Sequence, residues 1–134
     1  MYDLRFRTFE KYAGDRGVVI PVELRAGSGY VPVVALVDTG SSFCLFESDM
    51  AEALGLDLTS GSLLRFRTAN SSFEAYGHEV EITSLGVTVQ STVYFFADPS
   101  IEKNVLGQTG WLDRVRLGLV HHDNAIYLAP YDDE

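Results

Sequence analysis

Residues Val33 to Phe46, VVALVDTGSSFCLF, constrain this chain more than any other stretch. Val33, Val34, Ala35, Leu36 and Val37 form an apolar run suited to a strand buried on both faces. Asp38 ends the run, and Thr39, Gly40, Ser41 and Ser42 are turn residues. A second apolar run, Phe43 to Phe46, follows at once. A carboxylate at the edge of a core is costly unless it is paired, hydrogen-bonded or used. The expectation is an acid held on a tight loop between two buried strands.

Strand signals dominate the rest of the chain. Val18 to Leu24 is strand-like, with Pro21 pointing to an edge or a bulge, and Ala26 to Gly29 reads as a hairpin turn into Tyr30 to Val37. Leu63 to Thr68 and Phe73 to Thr83 flank a turn at Ala69 to Ser72. Val87 to Phe96 follows the Leu85-Gly86 turn, and Val115 to Val120 and Ala125 to Ala129 flank His121 to Asn124. Ser48 to Leu54 reads as a short helix with Ser48 as N-cap and Gly55 as its stop, and Gly110 to Arg114 as one or two helical turns. At 134 residues, with no repeat and no linker, the expected organisation is one mainly-β domain over 1–134.

Charge and cysteine content narrow the function classes. A net charge of −9 argues against nucleic acid and against an anionic membrane surface, both of which need clustered Lys and Arg. No apolar run approaches the length of a membrane span. Cys44 is the single cysteine, which suggests a reducing, cytoplasmic setting. Cys44 reads as a small core residue, His78 as structural, and Trp111 as a packing residue. His121 and His122 are adjacent, so on a strand they point to opposite faces, and a solvated turn is the better reading than a metal site.

The Asp38 loop with its two flanking apolar runs resembles the active-site loop of aspartic proteases. Asn104-Val105-Leu106-Gly107 is similar to the apolar-apolar-Gly element that packs under that loop in the family, and Trp111-Leu112-Asp113 falls where the family has a short C-terminal helix. The strand-turn-strand around Ala69, Asn70, Ser71 and Ser72 falls where the family's flap hairpin lies. The match runs from about Val18 to Ala129, with one such loop and room for one lobe. It therefore resembles the retroviral-type enzymes, the retropepsins and their relatives, which act as homodimers. The implied fold is an all-β, closed, orthogonal barrel with a flap hairpin and one or two short helices.

The resemblance implies an endopeptidase acting on extended peptides or proteins, with no metal or cofactor because a carboxylate pair activates water itself. Two nearby carboxyls share one proton, since both cannot ionise, and they titrate as a unit. One Asp38 is half of such a pair; a two-fold dimer supplies the other. Asp38, Thr39 and Gly40 are then catalytic, with Thr39 bonding across the axis and Gly40 N–H reaching the carboxylate. Ser41 is expected to donate to the outer carboxylate oxygen, which favours the ionised form and an acidic to mildly acidic optimum. Val105, Leu106 and Gly107 support the loop, and Ala69, Asn70, Ser71 and Ser72 cover the substrate.

Two departures stand out. The tip, Ala69 to Ser72, contains no glycine, whereas retroviral flaps are glycine-rich. Gln108 stands where many relatives carry a tethering arginine, which leaves Arg114 and Arg116 as candidates for that role. The glycine-free tip keeps a rival in view: a dimeric peptide-binding or scaffold module of the same fold without turnover.

Overall fold

The computed structural model describes all of residues 1–134. Ten strands form two sheets: β1 (Thr8–Lys11), β2 (Val19–Ala26), β3 (Gly29–Val37), β4 (Leu45–Phe46), β5 (Ser62–Arg67), β6 (Ser72–Ser84), β7 (Val87–Phe96), β8 (Val105–Leu106), β9 (Val115–Val120) and β10 (Ala125–Pro130). The one α-helix, α1, spans Ser48–Ala53. The larger sheet has the order β2-β3-β8-β4-β7-β6-β5, and β2 also pairs with β6, which closes six of the seven strands into a barrel. The smaller sheet has the order β1-β10-β9. The architecture is all-β.

Alternation explains most of the barrel. Along β7, Val87, Val89, Ser91, Val93 and Phe95 point inward while Thr88, Gln90 and Thr92 face solvent. β6 is 13 residues long and changes its inward face: Ala75 and Gly77 are buried in its first half, Val80, Ile82 and Ser84 in its second. Its first half forms a hairpin with β5, and its second half reaches β2. Pro21 lies on β2 outside the β2–β6 contact, which runs Glu23 to Arg25, so no second partner strand needs the N–H that proline lacks.

Three sequence expectations change. The run Val33 to Val37 is not buried on both faces: Val31 and Ala35 point into the core, but Val34 is 59% exposed. β3 is one wall of the barrel, so only one of its faces meets the core. The N-cap of α1 is Glu47 rather than Ser48, because Glu47 is held in a reciprocal pair with Asn104. Asn104 Oδ1 accepts the Glu47 N–H (3.0 Å), and its Nδ2 donates to Glu47 Oε2 (2.8 Å). Gly55 does end the helix, at φ +75°, with Gly55 N–H to Glu52 O and Leu56 N–H to Ala51 O, the two bonds of a left-handed helix stop. The segment Gly110 to Arg114 is reduced to one tight turn, Leu112–Arg114.

Both termini are laced to the small sheet. Arg116 donates to the carbonyls of Arg5, Tyr131 and Asp133, and Arg7 pairs with Asp133. The His121–Asp123 turn is not simply solvated, since His121 stacks on Tyr12 and its Nδ1 lies 2.7 Å from the Tyr12 hydroxyl.

Trp111, Phe46, Phe95 and Leu106 are among the most deeply buried side chains. Trp111 packs as expected, but its buried indole N–H has no partner. An unpartnered buried donor forfeits about 1–3 kcal/mol, which offsets part of what the ring's burial contributes. Trp111→Ala is therefore expected to cost about 3–5 kcal/mol. Trp111→Phe, which removes the orphaned donor, is expected to lose far less in urea unfolding. Equal losses in the two variants would show that the N–H is satisfied.

Candidate active site

The Asp38 loop joins β3 to β4, and β8 threads between those two strands. β8 runs parallel to β3, with Leu36 opposite Val105 and Val37 opposite Leu106. It runs antiparallel to β4, with Leu45 opposite Val105, while β4 runs parallel to β7. Main-chain bonds then brace the loop from below. Asp38 N–H donates to Leu106 O (3.0 Å), Gln108 N–H to Ser41 O (2.8 Å) and Thr109 N–H to Ser42 O (2.9 Å). Gly107 is buried at the crossing, where a Cβ would collide with the carbonyl oxygens of Phe43 and Ser41. Only glycine fits there, which accounts for the Val105-Leu106-Gly107 element.

Asp38 is half-buried at the mouth of this crossing. Its Oδ1 accepts the Gly40 N–H at 2.9 Å, and Ser41 N–H closes the turn onto Asp38 O at 3.1 Å. Oδ2 has no partner within the chain. Thr39 is exposed and its hydroxyl makes no bond within the chain. The expectation for Ser41 is overturned: its hydroxyl donates to Phe43 O (2.7 Å), not to the carboxylate. The turn returns the chain beneath Ser41, which places a main-chain carbonyl nearer to that hydroxyl than the carboxylate is.

Gln108, where many relatives carry an arginine that tethers the helix, braces the Asp38 loop instead. Gln108 Nε2 donates to Thr39 O at 2.6 Å. The Arg114 side chain bonds only Asp113, and that of Arg116 serves the termini. The signal was present in the sequence, because a residue directly after Gly107 sits beside the loop and an amide can donate to a carbonyl as a guanidinium can. Asp113 Oδ1 accepts Gly110 N–H (3.0 Å), and Leu112 and Asp113 N–H reach the carbonyls of Gly107 and Gln108, so the turn locks the floor in place.

The β5–β6 hairpin ends in a four-residue turn. Thr68 N–H donates to Ser71 O (2.8 Å), and Ser71 N–H donates back to Thr68 Oγ1 (3.1 Å). Ala69 and Asn70 form the exposed tip, while Ser72 belongs to β6, opposite Arg67. Hydroxyl bonds here do what glycine freedom does elsewhere in closing the turn.

A family model described as Aspartyl protease matches residues 20–110, which span both strands of the crossing, the Asp38 loop and the hairpin. The chain belongs to the aspartyl protease family. Among solved structures, a retropepsin-like aspartic protease from Rickettsia conorii is similar to it, with a TM-score of 0.59 and 19% identity over 83% of this chain and 96% of that one. The shared fold is therefore retropepsin-like. No curated protein matches the sequence.

In this family member the single cysteine is part of the floor. Cys44 is fully buried, and its sulfur accepts the Gly107 N–H at 3.4 Å. Burial, above all, pushes its thiol up to about 11. The native thiol keeps its proton up to about pH 11, whereas an unfolded thiol releases it from about pH 8.5. The stability Cys44 contributes is therefore full below the unfolded value and is lost as pH rises through the native one. Wild type should lose stability more steeply than Cys44→Ala between pH 9 and pH 11 in urea unfolding; parallel losses would mean that the sulfur is not desolvated in the folded protein.

The two loop braces should differ in weight. Gln108→Ala removes one hydrogen bond and is expected to cost about 0.5–1.5 kcal/mol. Gly107→Ala drives a methyl into two carbonyls and is expected to cost more, about 3 kcal/mol or beyond. Denaturant midpoints for the two variants test this order, and a Gly107→Ala protein as stable as wild type would contradict the crossing.

Proposed function

We propose that two copies of this chain meet about a two-fold axis and cleave peptide bonds with the paired Asp38 carboxylates. The observation that carries the reading is the Asp38 carboxyl itself: one oxygen held by Gly40 N–H, the other unengaged, on a loop braced by β8 and Gln108. A rigid half-site of this kind becomes a whole one when its symmetry mate faces it. The two carboxyls, with one proton between them, then have separate tasks. The ionised carboxylate takes a proton from water, and the protonated one hydrogen-bonds the scissile carbonyl. The resulting hydroxide adds to the carbonyl carbon, and the leaving amine is protonated from the pair as the tetrahedral intermediate collapses.

The exposed Thr39 is free to bond across the axis. The β5–β6 hairpin would close over the substrate, which lies extended and adds to the sheet as a strand. β5 supports this role because it is paired only to β6 and leaves a free edge. The carboxylate pair activates water without a metal or cofactor.

One observation favours a second reading, a dimeric peptide-binding module without turnover. The hairpin tip is clasped by Thr68 and Ser71 and contains no glycine, so opening it is harder than opening a glycine-rich tip. One experiment separates the two. A diverse peptide pool is incubated at pH 4 to 7 with wild type and with Asp38→Asn, and products are read by mass spectrometry. The protease reading expects cuts by wild type in this range that vanish with Asp38→Asn. Peptides retained equally by both proteins and never cut would establish the binding module instead.

A further inference from the structure

β5 carries two arginines, Arg65 and Arg67, in a chain of net charge −9. Two residues apart on one strand, they share a face. On that face Arg65 stands opposite Glu74 and Arg67 opposite Ser72. Phe66 and Phe73 take the other face, where Phe66 meets Phe43 of the Asp38 loop. A cavity of about 440 Å³ opens at this end of the hairpin. Arg65, Arg67, Ser72 and Glu74 line it from the hairpin, and Ala97 and Asp98 from the loop after β7. Ala97 N–H donates to Glu74 O at 2.9 Å, which fixes that loop to the hairpin.

Four charged side chains border the cavity, and three of them are engaged. Arg65 Nε donates to Glu74 Oε2 at 2.9 Å, so these two neutralise each other. Asp98 Oδ1 accepts the Ser100 N–H at 2.9 Å and the Ser100 hydroxyl at 2.7 Å. Arg67 is exposed, and its guanidinium has no ion pair and no hydrogen bond within the chain. A guanidinium presents a planar fork of donors that matches a carboxylate. Beside it, the outer edge of β5 has no partner strand. A strand added to that edge puts alternate side chains on the arginine face, one of them directly opposite Arg67. A lysine or arginine in that place is repelled, and an apolar side chain leaves the fork unpaired.

We propose that Arg67 makes the hairpin select an acidic residue, Asp or Glu, in the extended peptide that pairs with the edge of β5. The acid is read at one position. Two residues along, the peptide side chain faces Arg65, which Glu74 already neutralises. This rests on the reading of the hairpin as a cover for an extended substrate, and it names a chemical feature that such a substrate carries. Asp98 is the one anion of the cavity free to compete for Arg67, so its charge weakens the selection.

The test separates binding from cleavage by using Asp38→Asn protein, which leaves the hairpin unchanged. A pool of randomised extended peptides is captured on this protein and sequenced. Capture is repeated with Asp38→Asn combined in turn with Arg67→Ala, Arg67→Lys and Asp98→Asn. The expected result is about fivefold enrichment of Asp and Glu over Asn and Gln at one peptide position. Arg67→Ala should abolish it, Arg67→Lys should keep part of it, and Asp98→Asn should raise it. Retention by lysine would show that the charge acts, and not the fold of an exposed strand end. Capture without acid preference, or a preference unchanged by Arg67→Ala, would overturn the assignment. A preference that emerges only with Asp98→Asn would also overturn it, because Asp98 would then hold Arg67 in the native protein. A wild type that cuts peptides without regard to acidic residues would overturn this selection and leave the protease reading intact. Acid enrichment in a protein whose wild type never cuts would overturn only the protease reading.

Discussion

The structure depends on two residues, Val105 and Leu106, passing between β3 and β4. That short strand is satisfied on both sides, parallel to one neighbour and antiparallel to the other. It turns the loop between β3 and β4 from a flexible connection into a rigid one, because the bonds on either side of the loop are made to the same segment. Asp38 N–H is held by Leu106 O, and Ser41 O by Gln108 N–H. Loops are normally where a fold stores mobility, and catalytic groups need the opposite. Here the acid sits on a loop that is braced like part of a sheet.

The brace also explains the chemistry around it. Gly107 is glycine because two carbonyls leave no space, and Cys44 is small because it fills the gap beneath Gly107. Gln108 reaches over the exposed side to Thr39 O. The loop is thus gripped from the barrel side by main chain and sulfur, and from the solvent side by one amide. What the single chain lacks is a partner for Asp38 Oδ2 and for the Thr39 hydroxyl. Both unengaged groups belong to the loop that the proposed two-fold axis would bring together.

Much of this was legible in the sequence because it rests on local rules. Alternation in Val87 to Phe96, the Gly55 helix stop, and the Asp38 turn between apolar runs each follow from neighbours in the chain. The failures share a different cause. Ser48 is a good N-cap by type, but Glu47 takes the position through Asn104, far away in sequence. Ser41 has the hydroxyl that a carboxylate attracts, but the crossing folds Phe43 O closer. Val34 belongs to an apolar run, but the closed barrel turns one face of β3 outward. The aromatic contact between Phe66 and Phe43 joins residues whose separation no periodicity reveals. Long-range contacts decided each of these, and a single sequence carries little information about them.

The central claim is that Asp38 shares a proton with its symmetry mate. Carbon-detected NMR titration of aspartate-labelled protein, in a sample shown by sedimentation to be dimeric, tests it without any substrate. A shared-proton pair predicts two steps for the Asp38 carboxyl carbon, separated by more than about one pH unit, with the upper step above the ordinary aspartate value of about 3.9. A single step near that ordinary value in the dimer would contradict the account, because two carboxyls close enough to act together cannot titrate as though alone.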